Sequence, residues 1–390
     1  MSPQPVIRVG VIGYGNRGRY LAGNYSQAEH PGFHLAAACD VSPHRLQLAR
    51  QNHGDALFCT EHWKELLARA DLDAVIVATH DHEHLEPTLA ALAAGKNVIC
   101  EKPLCQSAAD AAKVVEAVRR SGRVFMIGFE LRHCAVFTTM RRLLDEGRIG
   151  EVKVAHVFDN VSVGGSYYFH RPHRKALMKS LLLQKASHSL DLLNDFAGSR
   201  PVKVFGFGGQ DFYGRRDTGD LRCRDCGEAC PYRARPRGFQ PEPGAPEVWD
   251  YCVWSREMDL NDNSELCIAY ANGVKATFHE CHFTPDYSRE FWLVGTRGKM
   301  YGYYDGPGRF LVRIEYTNAP DRRTEEFKPP RPEGGHGGSD GLLRDECYRR
   351  IVARAPSEDA LYSAYYSTAL AACAEESIET GVPVAIPPMP

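Results

Sequence analysis

The chain is predicted to be α/β, with an N-terminal Rossmann dinucleotide-binding domain over residues 1–130 and a C-terminal α/β domain over 131–390 built on a large, mostly antiparallel open sheet. Three observations predict this. A glycine signature, Gly13-Tyr14-Gly15-Asn16-Arg17-Gly18, follows the apolar run Val9 to Ile12 and opens a helix-like stretch. Strand-like and helix-like runs alternate up to about residue 130, the rhythm of a parallel sheet. Beyond Arg132 that rhythm gives way to long alternating runs at 151–161, 201–213, 263–281, 290–303 and 309–317, which suit an antiparallel sheet with one open face.

The glycine signature has a chemical logic. Its first glycine permits a tight turn, its second lets backbone N–H groups approach a pyrophosphate, and its third lets the helix pack on the strand. Phosphate charge would then rest at the helix N-terminus, where unpaired amides and the helix dipole favour an anion. Tyr14, Asn16 and Arg17 share the turn and are cofactor-binding candidates with the glycines. A second apolar run, His34 to Cys39, ends in Asp40. A carboxylate there accepts hydrogen bonds from both ribose hydroxyls and repels a 2′-phosphate, so NAD is expected over NADP. Arg45, a helix turn further on, reads as solvent-facing.

The remaining elements follow in order. Trp63 to Arg69 reads as helix, Ala74 to Thr79 as a buried strand, and 87–94 as a helix closed by Gly95, in keeping with glycine's role at helix C-termini. Strands are expected at Asn97 to Cys100 and Val124 to Gly128, then a helix near 135–146 ending at Gly147. Residues 214–252 form an insert dense in Arg, Pro, Gly and Cys, 328–338 a loop, and 339–380 two helices.

At 390 residues the chain can bury two separate cores. A net charge of −2 supplies no basic face for nucleic acid. No apolar run reaches the roughly 20 residues of a membrane span, and the N-terminus lacks a signal peptide's apolar centre, so a cytoplasmic location is expected. The 13 cysteines, an odd number scattered through a large chain, do not read as a disulfide framework. Cys223, Cys226 and Cys230, followed after 21 residues by Cys252, have spacing that suits a structural, tetrahedral Zn²⁺ closing the insert. Free or redox-active thiols are the alternative. The other cysteines read as small core residues.

Glu101-Lys102-Pro103, directly after a predicted strand, resembles the Gfo/Idh/MocA oxidoreductases of sugars and cyclitols. Other segments agree. Ala78-Thr79-His80 followed by His84 resembles that family's strand end beside the nicotinamide, Gly147 to Glu151 its crossing into the second domain, His188 to Asp191 its H-x-x-D helix, and Gly295 to Gly298 its turn. A branch of the family also resembles the cysteine-rich insert. The resemblance implies that Lys102 sits beside the nicotinamide and the reacting hydroxyl, with Thr79, His80, His84 and Glu101 at the cofactor. His188 would face them from the second domain, with substrate in the cleft between.

The expected chemistry needs a hydride acceptor, which NAD supplies, and a base for the hydroxyl proton. A desolvated lysine near a positive nicotinamide has its pKa lowered, and a histidine titrates in the working range. One departure from the family pattern bears on the base. Many members carry an aspartate four residues before the histidine, where this chain has Gln184 followed by Lys185. Lys185 and His188, spaced i, i+3 on one helix face, are therefore a candidate catalytic unit. Upstream, Tyr168, Arg171 and His173 are candidates for binding a sugar's faces and hydroxyls, and so is His336 among its glycines. An ordinary surface loop is the plainer reading at both places.

These residues point to NAD-dependent oxidation of a ring secondary hydroxyl of a sugar, glycoside or cyclitol. The alternative is an NAD-dependent glycoside hydrolase that oxidises the 3-hydroxyl transiently, eliminates the aglycone, adds water and returns the hydride. A non-catalytic NAD(H) sensor is a third class. An apolar open sheet face would be covered by self-association, so a homodimer or homotetramer is expected.

Overall fold

The computed structural model describes residues 5–162, 165–169, 173–233, 250–306, 308–317 and 323–390. Two compact units divide the chain: residues 1–130, 340–365 and 389–390 in the first, and 131–339 with 366–388 in the second.

The first unit runs β1 (Ile7–Ile12), α1 (Asn16–Asn24), β2 (Phe33–Cys39), α2 (Pro43–His53), β3 (Phe58–Thr60), α3 (Trp63–Leu67) and β4 (Ala74–Val77). It continues through α4 (Leu85–Ala93), β5 (Asn97–Cys100), α5 (Ala108–Ser121) and β6 (Phe125–Ile127). The six strands lie parallel in the order β3-β2-β1-β4-β5-β6. Val9, Val11, Val75, Ile76, Val98 and Ile99 are all buried, as strands covered on both faces must be. Ser107 caps α5 by accepting the Asp110 N–H at 3.1 Å, and Gly122 ends that helix at φ 61°. Each device satisfies a terminal backbone group the helix cannot pair internally.

The second unit contains α6 (Ala135–Asp145), β7 (Val152–Asn160), α7 (Gly165–Tyr168), α8 (Lys175–Met178), α9 (Leu181–Gln184) and α10 (Ser187–Ala197). Then come β8 (Pro201–Gly209), β9 (Asn263–Tyr270), β10 (Lys275–Cys281), β11 (Ser288–Gly295), β12 (Gly298–Tyr304), β13 (Phe310–Tyr316) and β14 (Thr324–Phe327). Helix α11 (Ser339–Ala353) belongs from Asp340 onward to the first unit, and α12 (Glu358–Thr380) passes from the first unit to the second at Tyr366, before β15 (Val384–Ala385). The nine-stranded sheet has the order β14-β13-β12-β11-β7-β10-β9-β8-β15. Only the β7–β10 pair is parallel. One face is packed by α6 and α10, where Phe137, Phe196 and Phe291 meet with ring centroids 5.3–6.5 Å apart. The opposite face carries Phe158, Phe207 and Val294 exposed and Trp292, Tyr301 and Tyr303 half-buried.

The predicted runs are refined in two places. The run 263–281 folds back on itself as the β9–β10 hairpin, turning at Gly273 with φ 85°. The run 201–213 leaves the sheet at Gly209, because the buried Asp262 carboxylate accepts the N–H groups of Asp211, Phe212 and Tyr213 at 2.8–3.0 Å. Among the described residues, no helix is long and apolar enough to cross a membrane.

Candidate active site

The β1–α1 turn is shaped by its three glycines in three different ways. Gly13 has φ 89°, and a Cβ there would lie 2.4 Å from the Ala78 carbonyl oxygen. A Cβ on Gly18 would lie 1.7 Å from the Gly13 carbonyl oxygen, so only glycine lets α1 sit this close to the turn. Gly15, the N-cap of α1, would meet nothing nearer than the Arg45 guanidinium at 3.8 Å. Its open side is what a backbone cradle for a pyrophosphate needs. Asp40, at the end of β2, is buried; its Oδ2 accepts the Tyr14 N–H at 2.8 Å and its Oδ1 the Ser42 N–H at 2.9 Å. A carboxylate offers about four lone-pair directions, so acceptor capacity remains for a ribose. Arg45 does not simply face solvent: its Nη1 lies 3.5 Å from Asp40 Oδ2, over Gly15. These residues fit NAD.

At the carboxyl ends of β4 and β5, His84 braces the next loop. Its Nδ1 is 2.6 Å from the Pro103 carbonyl oxygen and its Nε2 is 3.2 Å from that of Thr79, with the ring buried. Lys102, half-buried, is thus held between two fixed points, and its N–H donates to Glu101 Oε2 at 3.3 Å. Glu101 in turn accepts from Arg17 Nε at 2.8 Å. Arg17 also lies 2.8 Å from Asp340 and 3.8 Å from Glu130. Burial opposes its charge, but these three carboxylates outweigh burial and hold the guanidinium well above its ordinary pKa. Arg17 is therefore a tie between carboxylates, and Asn16 begins α1. His80 stacks on His82 at 6.0 Å in the same strand-end segment.

In the second unit, Lys185 and His188 are both buried, at the end of α9 and in the first turn of α10. Around Lys185 stands a set of groups absent from the sequence reading. Arg289 is fully buried; its Nε donates to Ser189 Oγ at 2.9 Å and to Asp159 Oδ2 at 3.2 Å, and its Nη1 donates to the Tyr287 hydroxyl at 2.5 Å. Lys185 Nζ donates to the same hydroxyl at 3.4 Å and lies 4.9 Å from the ring centre. Burial works against the Asp159 carboxylate, but Arg289 and Lys185 prevail and hold it below the usual range. Burial and Arg289 both act to lower Lys185, yet Tyr167, Tyr287 and Asp159 leave it raised. Nearby, Tyr167 stacks on His173 at 5.9 Å and meets His282 edge-on at 5.4 Å. His173 Nδ1 is 2.7 Å from the Tyr167 carbonyl oxygen. His282 Nε2 is 3.2 Å from Glu280 Oε1, both side chains almost wholly buried.

The other predicted residues are placed differently. Tyr168 is fully buried, and its hydroxyl donates to the carbonyls of Asn261 and Leu260 at 3.1 and 3.3 Å. It packs with Met178, Leu181, Tyr213, Tyr251 and Val253 in a small core. Arg171 lies outside the described residues. His336 has φ 50° in a short helical turn between glycines. Asp191 is gripped by Arg132 through two bonds of 2.6 and 2.9 Å.

The zinc expectation finds no support. Cys223, Cys226, Cys230 and Cys252 form no disulfide and are half-buried, and among the described residues no group of three or more His, Cys, Asp or Glu could hold a metal ion. Rings and ion pairs hold together the described part of the insert. Phe212, Tyr213, Tyr232 and Trp254 pack with centroids 5.0–6.1 Å apart. Asp250 pairs with Arg222 at 3.1 Å and Arg224 at 2.8 Å.

Comparison with known proteins agrees with this architecture. Residues 7–129 match the family model described as oxidoreductase family, NAD-binding Rossmann fold, and residues 137–301 match the GFO/IDH/MocA C-terminal domain. The YteT protein of Bacillus subtilis (strain 168) is 24% identical over 373 residues, covering 85% of this chain and 87% of that protein. Inositol 2-dehydrogenase of Gluconacetobacter diazotrophicus is 36% identical over 162 residues, 41% of this chain and about half (48%) of the enzyme. Among solved structures, levoglucosan dehydrogenase in complex with NADH and levoglucosan superposes with a TM-score of 0.79 over 98% of this chain and all of that one, at 18% identity, a likeness of fold. With both of its domains matched in order, the chain belongs to the Gfo/Idh/MocA family of NAD-binding oxidoreductases.

Proposed function

We propose that this protein oxidises a ring secondary hydroxyl of a sugar, glycoside or cyclitol. NAD, when bound, takes the hydride from the carbinol carbon. The observation that supports the reading is the His84 brace, which joins the Thr79 carbonyl past β4 to the Pro103 carbonyl next to Lys102 past β5, at the carboxyl ends of the strands where open α/β sheets bind their ligands. Relatives named for inositol and anhydrosugar chemistry support the substrate class. Lys102 and His188 bind the reacting hydroxyl and handle its proton, while His173 and Tyr167 offer faces to the ring. The test is NADH formation by the full-length protein over a panel of sugars, glycosides and inositols. Lys102→Ala is expected to lower kcat about 100-fold or more. Silence across the panel, with NADH still bound, would overturn the reading in favour of NAD(H) sensing.

One observation favours a second reading. The buried Glu280–His282 pair adds acid–base groups that hydride transfer does not use, and neither ring nitrogen of His282 completes a hydrogen bond. Redox-assisted glycoside cleavage needs such an extra pair to remove the proton next to the transient ketone and to protonate the leaving aglycone. Aglycone release with catalytic NAD and no net NADH distinguishes it from simple oxidation. The aromatic open face of the nine-stranded sheet supports a homodimer or homotetramer, to be read by sedimentation equilibrium.

A further inference from the structure

We propose that three buried carboxylates of the first unit, Glu101, Glu130 and Asp340, bias its dinucleotide site toward the oxidised coenzyme and so set its preference between NAD⁺ and NADH. The inference goes beyond the oxidation reading and needs only the dinucleotide site of the family. Arg17 gathers the three. Its Nε lies 2.8 Å from Glu101, and its Nη2 lies 2.8 Å from Asp340 and 3.8 Å from Glu130. All three carboxylates are buried. Against their three negative charges stand the Arg17 guanidinium and, next to Glu101 in the chain, the Lys102 side chain. Counted formally, the group keeps a negative charge in excess.

The strand order says where that charge falls on a bound dinucleotide. In the order β3-β2-β1-β4-β5-β6, the glycine turn follows β1 and Asp40 follows β2. A dinucleotide lies across the carboxyl ends of such a sheet, at the point where the strand order reverses. With its adenosine ribose at Asp40 and its pyrophosphate at the turn, the nicotinamide half falls on the other side, beyond β4 and β5. Glu101 directly follows β5, and Glu130 comes soon after β6. Asp340 arrives from the far end of the chain, on a helix fixed against α1. Asn24 Nδ2 donates to the Asp340 carbonyl at 3.3 Å, Arg344 Nη1 donates to Asn24 Oδ1 at 3.1 Å, and the Tyr348 hydroxyl donates to the Pro5 carbonyl at 2.8 Å. Asp81, half-buried just past β4, has the same sign.

The nicotinamide ring is a cation in NAD⁺ and neutral in NADH, while the pyrophosphate charge is the same in both. An excess of carboxylate charge on the nicotinamide side therefore stabilises one oxidation state and not the other. Burial lets this field act with less screening than a surface charge would suffer.

The test measures binding to the full-length protein without substrate, NADH by its fluorescence and NAD⁺ by displacement of NADH. Glu130→Gln and Asp340→Asn, which keep the side-chain shape, should each weaken NAD⁺ about three- to fivefold relative to NADH. Glu101→Gln, next to Lys102, should show the largest shift. Lys102→Met removes a positive charge and should move the ratio the opposite way. A merely structural role would weaken both coenzymes alike, and melting curves without coenzyme report any loss of packing. A ratio unchanged in the three acid-to-amide variants, or moved in one direction by these and Lys102→Met together, would overturn the proposal while NAD binding stands. A wild type that binds neither coenzyme would overturn both.

Discussion

The glycine turn of the first unit and the buried polar cluster of the second are encoded in opposite ways. In the turn, recognition rests on backbone, and what matters at Gly13, Gly15 and Gly18 is a missing side chain within six consecutive residues. The cluster rests on side chains that meet because β7 and β11 pair with Arg289 opposite Asp159. One site is a local sequence property and the other a property of sheet register. The first is damaged by adding atoms, the second by removing a charge.

The largest expected effect tests the first half of this contrast. Gly18→Ala should destabilise the protein by more than about 3 kcal/mol, beyond ordinary overpacking, because its Cβ would strike a backbone oxygen at 1.7 Å. Gly15→Ala should leave the Tm within about 2 °C yet weaken NADH binding, and equal losses in both variants, by thermal melt and NADH fluorescence, would break the distinction. Next comes Arg289→Ala, expected to cost about 3–5 kcal/mol by leaving Asp159 buried and uncompensated. The same variant should change the acid response. Asp159 has its folded pKa depressed, so its pair contributes fully above the ordinary aspartate pKa and is lost as pH falls through the folded value. Wild-type stability should therefore drop in acid more steeply than that of Arg289→Ala, measured by urea midpoints between pH 6 and pH 3.

In the insert, Trp254→Ala should cost about 2 kcal/mol, while a chelator or Cys223→Ser should cost under about 0.5 kcal/mol. A large chelator effect on the melting curve would restore a metal to the argument. The smallest effect is at the β9–β10 pair His279–Glu265, 2.5 Å apart, where His279 is raised to about 9 by its bonds to Cys281 and Glu265. A raised histidine contributes fully below about 6.5 and loses its contribution as pH climbs through its folded value. His279→Gln should remove a stability slope of under about 1 kcal/mol between those limits, since Glu265 is largely exposed.

The legible parts of the molecule were the contiguous ones. The fold class followed from the glycine turn and the switch of hydrophobic period; Asp40 was singled out because it follows the second strand, and Lys102 only through the resemblance of Glu101-Lys102-Pro103 to a family motif. Asp159, Arg289 and Lys185 carried no local signature, since Arg289 meets Asp159 and Ser189, and Lys185 meets Tyr287, about 100–130 residues away in sequence. One faint signal was available: a charged Asp and a charged Arg sit at inward positions of strands that otherwise alternate. On the single turn of α7, Tyr168 points into the core while Tyr167 meets the histidines, and composition cannot choose between adjacent tyrosines.

Asp40 is already anchored by the amides of Tyr14 and Ser42. An arriving adenosine therefore finds a carboxylate whose rotamer has been chosen in advance, and little entropy is left to surrender on that side. Association at this end should resemble a key entering a finished lock, with its rate set by diffusion and desolvation rather than by side-chain search.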